Sequence, residues 1–125
     1  MRSRIAVALL LWTSVCPASD PQVPLGSGTY QFQWKDAEFS ESAGFPVKVI
    51  IDGKRVRIVN EHAGGAAPLG ELESAELMWN WKVRKWVLGY SDADQTAPDP
   101  GGCSGEGPHV IDFDTRVIWT CEWGP

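Results

Sequence analysis

Apolar and polar residues alternate along several short stretches of the chain. In residues 29–35, Tyr30, Phe32 and Trp34 share one face, and polar residues occupy the other. Because successive side chains of a strand point to opposite sides of a sheet, this period of two predicts a half-buried strand.

A β-hairpin is predicted over residues 46–60, where Asp52-Gly53 separates two runs rich in β-branched residues. With these two residues as the turn, we expect Val49 to lie opposite Val56. One face of the hairpin then carries apolar residues alone: Val47, Val49, Ile51, Val56 and Ile58. Turn and alternation agree, so the register is well specified.

Residues 72–90 allow two interpretations. As a helix, they place Leu72, Ala75, Trp79, Val83 and Trp86 in one apolar stripe. As a hairpin turning at residues 82–85, they place Trp81 opposite Trp86, with six large apolar residues on one face: Leu77, Trp79, Trp81, Trp86, Leu88 and Tyr90. Aromatic and β-branched content favours the hairpin, although such runs are ambiguous.

The rest of the pattern consists of loops and one further strand region. Residues 60–71 and 91–108 are rich in Gly, Pro and acidic residues, and residues 109–123 predict one or two strands that turn near Asp114-Thr115. About six or seven short strands with no clear helix between them predict an all-β, mainly antiparallel fold, either a small barrel or a sandwich.

The first 18 residues have the pattern of an export signal. Arg2 and Arg4 precede an apolar run at residues 5–15, which is too short for a membrane span of about 20 residues. Ala18 fits a cleavage site, so we expect a signal peptide at 1–18, a flexible leader at 19–28 and one β-rich domain at 29–125. The expected location is secreted or periplasmic. A retained anchor and lipidation of Cys16 are the alternatives.

Cleavage changes both the cysteine count and the charge. It leaves Cys103 and Cys121, an even pair that predicts a disulfide in an exported protein. It also leaves nine basic against 16 acidic residues. A domain this acidic is a poor candidate for nucleic-acid or anionic-lipid binding, and suits a cationic protein partner or is simply soluble.

Candidate chemistry is sparse, and the sequence predicts no cofactor and no metal site. Cys103, His109 and Asp112 have the residue types of a thiol triad, but a cysteine in a disulfide is no nucleophile. Glu38 and Glu41, with Asp36 nearby, form a carboxylate cluster of the kind that glycoside hydrolases use.

A tryptophan-rich segment is the candidate binding surface. Its aromatic residues flank a basic turn, and the set is Trp79, Trp81, Lys82, Arg84, Lys85 and Trp86. The leading hypothesis is an exported, non-catalytic binding or inhibitor-type protein of the cell envelope, with a cationic partner such as a cell-wall hydrolase. The alternatives are a carbohydrate-binding module that uses the tryptophans, and a small secreted hydrolase that uses Glu38 or Glu41.

Overall fold

The computed structural model describes residues 20–103 and 107–123, so the predicted signal peptide and Cys16 lie outside the described residues. The fold is all-β, as the alternation predicts, and the strands form a closed barrel. The seven strands are β1 (Gly28–Asp36), β2 (Phe45–Asp52), β3 (Arg55–Asn60), β4 (Gly70–Asn80), β5 (Lys85–Gly89), β6 (His109–Asp112) and β7 (Val117–Thr120). Short 3-10 helical turns cover Ala37–Phe39 and Asp92–Gln95.

The barrel closes through a parallel pair. Each strand is antiparallel to the next along the chain, but β1 and β7 run in the same direction, with Trp34 opposite Ile118. Seven strands in up-and-down order bring the first and last strands into the same orientation. Closure of an odd-stranded barrel is therefore necessarily parallel, which the strand pattern alone did not reveal.

Inward-facing side chains fill the barrel. Phe32, Trp34, Ile58 and Leu88 are almost fully buried, and Phe113 packs edge-on against Phe32 with ring centroids 6.0 Å apart. A barrel of about eight strands is just wide enough for side chains to fill it, so this interior is a packed core.

The first hairpin has the predicted faces but not the predicted register. Its five apolar residues are all buried, yet Ile51 lies opposite Val56. The turn is Gly53-Lys54, one residue later than predicted, and Gly53 has a φ of 63°. A left-handed glycine at the first central position is what a type II′ turn requires. Moving the turn by one residue shifts each partner by two, which preserves the faces.

The second region forms a hairpin and not a helix, as predicted. Its register, like that of the first hairpin, differs from the predicted one. Trp79 lies opposite Trp86, and the turn is residues 81–84. The Asn80 side chain fixes this turn, since its Oδ1 accepts hydrogen bonds from the backbone N–H groups of Lys82 and Val83, each at 2.9 Å. Trp81 therefore leaves the strand, and the predicted six-residue apolar face is broken.

The turn after β6 repeats this local structure. Asp112 Oδ1 accepts hydrogen bonds from the N–H groups of Asp114 and Thr115 at 2.9 and 3.2 Å. In both four-residue turns the last residue is a left-handed arginine: Arg84 has a φ of 60° and Arg116 a φ of 61°. A polar side chain at the end of the strand thus builds each turn from local hydrogen bonds.

The barrel has two ends of different construction. The turn end carries the turns 53–54, 81–84 and 113–116. The loop end carries the loops 37–44 and 61–69, the described part of 90–108, and residues 121–123. The predicted disulfide is at the loop end, where Cys103 and Cys121 are bonded with their Cα atoms 5.4 Å apart. At the other end, Val23 and Leu25 of the leader pack against the core.

Candidate binding surfaces at the two ends of the barrel

Charge is divided between the two ends. Six of the nine basic residues after residue 18 lie at the turn end, and ten of the 16 acidic residues lie at the loop end. The basic set is Lys54, Arg55, Lys82, Arg84, Lys85 and Arg116. The acidic set is Asp36, Glu38, Glu41, Glu61, Glu71, Glu73, Asp92, Asp94, Asp99 and Glu122. The net charge of the whole domain therefore describes neither end. Each end presents its own electrostatic field to a partner.

Exposed apolar side chains gather at the loop end. Phe39, Leu69 and Tyr90 each expose more than half of their surface, at 51%, 62% and 65%. One belongs to each of the three loops at this end. Single exposed apolar residues are common, but here one lies on each of the three loops at the same end of the barrel, and we call these three residues the apolar rim.

Hydrogen bonds between residues four to ten apart hold these loops in place. The Asn60 amide, itself buried, donates to the backbone carbonyls of Ala67 and Pro68 at 3.3 and 2.9 Å. The Gln33 side chain donates to the carbonyl of Ala43 in the first loop at 3.0 Å. Asp94 Oδ2 accepts hydrogen bonds from the N–H of Tyr90 at 2.7 Å. Each loop is thus fastened by side-chain to backbone hydrogen bonds, which lowers the entropy lost on binding.

A buried carboxylate joins three strands at the opening of the loop end. Glu73 of β4 is 8% exposed, and its Oε1 lies 2.9 Å from His109 Nδ1 of β6. Its other oxygen accepts a hydrogen bond from the hydroxyl of Tyr90, just after β5. The Trp34 ring meets His109 edge-on at 5.7 Å. Tyr90 therefore exposes its ring while Glu73 fixes the orientation of that ring.

The same contacts shift two ionisation equilibria. Burial lowers the pKa of His109, but the hydrogen bond to Glu73 and the charges of Glu73 and Glu122 outweigh it, so that pKa is raised above 6.5. Burial of its hydroxyl and the hydrogen bond to Glu73 raise the pKa of Tyr90 above 10.0. Both shifts favour the protonated forms, which satisfy the Glu73 carboxylate.

A shallow cavity of about 320 Å³ lies over this cluster. Glu73, Tyr90, Asp94, His109 and Glu122 are among its lining residues. Cys103 is bonded to Cys121 and supplies no thiol nucleophile here. The polar part of the lining is therefore three carboxylates, an imidazole and a phenol, and the Glu73 carboxylate among them is already satisfied by His109 and Tyr90.

The predicted tryptophan surface is split by the structure. Trp86 is 7% exposed and belongs to the core, Trp79 is half-buried, and Trp81 is 40% exposed at the turn. Trp79 and Trp86 pack edge-on with ring centroids 5.4 Å apart. The cations of the set, Lys82, Arg84 and Lys85, are all exposed.

A groove of about 410 Å³ runs along the turn end. One wall is the leader, through Pro21, Gln22 and Pro24, and the other includes Trp79 and Arg84. The prediction of a flexible leader at 19–28 did not anticipate that the leader would form a wall of this groove. The anchoring of Val23 and Leu25 on the core positions the wall.

The carboxylates predicted for a hydrolase lie at the loop end and are not among the residues that line the cavity over Glu73. Glu38 and Glu41 are exposed on the loop 37–44, and Asp36 is buried at the end of β1, where it accepts a hydrogen bond from the Glu38 N–H at 2.8 Å. Within residues 20–103 and 107–123, Asp36, Glu38 and Cys103 form the group with metal-ligand spacing. Because the Cys103 sulfur is in the disulfide, it offers no thiolate to a metal.

The Glu73, His109 and Tyr90 cluster was missed by sequence reasoning. A signal existed for two of its members: Glu73 shares strand parity with Ala75 and Leu77, and His109 with Ile111, so each faces inward. An inward-facing charged residue requires a partner. Finding that partner requires the pairing of β4, β5 and β6.

Comparison with protein-family models, curated proteins and solved structures found no match to this chain. Function is therefore inferred from its own side chains. None of the helical segments in the described parts of the chain has the length and apolar content needed to cross a bilayer.

Proposed function

We propose that the protein is an exported, non-catalytic binding protein that docks a cationic protein against the loop end of its barrel. One observation carries the proposal: each of the three loops at this end presents an exposed large apolar residue among carboxylates. A cell-wall hydrolase of basic charge is a partner of the proposed kind, and the proposed consequence of docking is inhibition of that hydrolase.

The chemistry of the surface supports this choice of partner. Large apolar side chains such as those of Phe39, Leu69 and Tyr90 supply the buried contact area of a protein interface. Surrounding carboxylates attract a basic protein at long range and disfavour acidic ones. The same charges repel nucleic acid and anionic lipid, so a cationic protein is the macromolecule that both properties fit.

The rigidity of the surface supports binding as its purpose. Tyr90 is held by Glu73, the loop 61–69 by Asn60, and the loop 90–108 by the bond between Cys103 and Cys121. Preorganised loops lose less conformational entropy in a complex. The disulfide and the signal-like N-terminus support an extracytoplasmic setting, where disulfides persist.

The test uses residues 19–125 with the disulfide formed, titrated calorimetrically with strongly basic proteins, including lysozyme as a basic cell-wall hydrolase. We expect a saturable complex whose affinity falls at least tenfold between about 50 and about 300 mM salt. The Debye length shortens over this range, so the attraction between opposite charges is screened. A parallel assay of hydrolase turnover reports inhibition.

Single variants locate the surface. Phe39→Ala, Leu69→Ala and Tyr90→Ala each remove an exposed side chain, and we expect at least one to weaken binding by about tenfold or more. Trp81→Ala is the matched control, since it removes an exposed aromatic side chain from the turn 81–84 and keeps the backbone N–H that donates to Gln95 of the loop 90–108. Equal losses for Trp81→Ala and Tyr90→Ala, or failure of every basic protein to bind, would refute the proposal.

A further inference from the structure

We propose a second binding site, independent of the proposed function, in which the groove at the turn end binds a glycan of carboxylate-bearing sugars. The groove combines aromatic walls with charged side chains, and it lies at the end of the barrel opposite the apolar rim. Three properties of its residues carry the inference: the aromatic surface, the mixture of donors and acceptors, and cations that pair with no carboxylate in the described part of the chain.

The aromatic walls suit a sugar ring. Trp79 lines the groove and is half-buried. Trp119 lines the same groove, and the Lys35 ammonium lies 5.2 Å from its ring centroid. A pyranose has apolar C–H faces that pack on flat aromatic rings, and a rigid indole loses little conformational entropy on contact.

Charged groups of both signs line the groove beside these rings. Arg84 and Lys85 donate hydrogen bonds only, whereas the carboxylates of Asp112 and Asp114 accept them. Sugar hydroxyls do both, so such a mixture fits a polyol. Asp112 Oδ1 is already engaged by two backbone N–H groups of its turn, which leaves it less free than Asp114 to accept from a ligand.

The cations of the turn favour an acidic sugar. Within the described residues, Lys82, Arg84 and Lys85 have no carboxylate within salt-bridge distance, whereas Lys48 and Arg57 pair with Glu61 and Glu71 at 2.7 and 2.8 Å. An unpaired guanidinium presents a planar fork that matches a carboxylate in two hydrogen bonds. Arg84 therefore supplies the recognition of a uronic-acid carboxylate.

Backbone geometry places Arg84 on the groove. Its φ of 60° lies in the left-handed region, which is uncommon for a residue other than glycine. The N–H of Arg84 donates to the carbonyl of Asn80 at 2.8 Å, and Asn80 is fully buried. The side chain therefore projects from a turn that is fixed from inside the fold, a rigid base for a binding residue.

The test compares charged and uncharged forms of the same sugar. Residues 19–125 are titrated with oligogalacturonate and alginate oligosaccharides, and with their methyl-esterified counterparts, while tryptophan fluorescence and calorimetry are followed. We expect at least tenfold tighter binding of the acids than of the esters. The double variant Arg84→Gln with Lys85→Gln should lose at least tenfold in affinity for the acids.

Control variants keep the two proposals distinguishable. Lys48→Gln and Arg57→Gln remove cations that are paired elsewhere, and Tyr90→Ala alters the loop end; all three should bind the acidic sugars like the wild type. Failure of both acids to bind, equal binding of acids and esters, or insensitivity to the double variant would overturn the glycan site. Equally tight binding of duplex DNA or of anionic vesicles would also overturn it, since that outcome indicates unselective attraction of polyanions. None of these outcomes affects the loop-end titrations with basic proteins.

Discussion

At the turn end the chain reverses direction within two or four residues, whereas at the loop end it takes connections of eight to 19 residues. Local side chains build the four-residue turns, as Asn80 and Asp112 do. The longest loop adds contacts over a greater separation: the disulfide joins residues 18 apart, and the Trp81 N–H donates to the carbonyl of Gln95. Asn80 also donates to the carbonyls of Asp94 and Ala97, so the turn 81–84 and the loop 90–108 hold each other.

This difference separates the two proposed surfaces by charge and by construction. The turn end presents cations that pair with no carboxylate of the described residues, and the loop end presents apolar residues and carboxylates on fastened loops. Changes that loosen the loop 90–108 should reach the turn 81–84, to which it is hydrogen-bonded, and spare the turns 53–54 and 113–116. Changes to the caps of the turns should affect the barrel as a whole.

Removal of the disulfide should give the largest effect. Cys103→Ala with Cys121→Ala opens a link between residues 18 apart, and we expect the free energy of unfolding to fall by about 3 kcal/mol. Denaturant titration measures the loss. Amide exchange should rise mainly at residues 90–103 and 121–123 and at Trp81, whose N–H donates to Gln95. Protection in the strands that flank the turn 53–54 should be retained, and an equal loss of protection there would contradict the contrast.

The buried asparagines should rank next, with Asn80 more sensitive than Asn60. Asn80 accepts two hydrogen bonds in its turn and donates two to Asp94 and Ala97 at 2.9 Å, whereas Asn60 accepts one and donates two. We expect Asn80→Ala to cost about 2 kcal/mol and Asn60→Ala about 1 kcal/mol, because each leaves buried backbone groups unpaired. The reverse order in urea denaturation would contradict this ranking by the number of hydrogen bonds lost.

The smallest effect should be the pH dependence of the loop end. Because the folded pKa of His109 is raised, its stabilisation is fully present below about pH 6.5 and is lost as pH rises through the folded value. His109→Gln should therefore reduce stability most under acidic conditions and little at higher pH. Denaturation of both proteins between about pH 5 and about pH 9, with NMR titration of the imidazole, checks the sign, because this range covers the ordinary histidine pKa and values raised above it. If the difference in stability between the two proteins does not change with pH, the titration of His109 is not its source.

Strand faces followed from sequence because alternation survives a change of register. Val49, Ile51 and Val56 are buried as predicted, although their partners differ. The predicted registers were wrong because the side chains that form the turns were overlooked. Asn80 and Asp112 end their strands and accept N–H groups two residues later, and Asp36 and Asn60 do the same. An Asp or Asn at the end of an alternating run was the available signal for the turn.

The candidate surfaces were less accessible from sequence, for a physical reason. The tryptophan segment was found by composition, but the burial of Trp86 and the exposure of Trp81 depend on the turn position. The division of charge depends on which connections share an end, and hence on barrel closure. Tyr90, predicted on the apolar face, is instead a rim residue fixed by Glu73.

The odd number of strands also determines how the protein would stand on a surface. An even-stranded meander enters and leaves its barrel at the same end, but here the chain enters at Gly28 of the turn end and leaves at Thr120 of the loop end. Any attachment upstream of residue 20, a lipid on Cys16 included, would hold the turn end towards the support. The rim with Phe39, Leu69 and Tyr90 would then face outward, clear of the tether and open to an approaching partner.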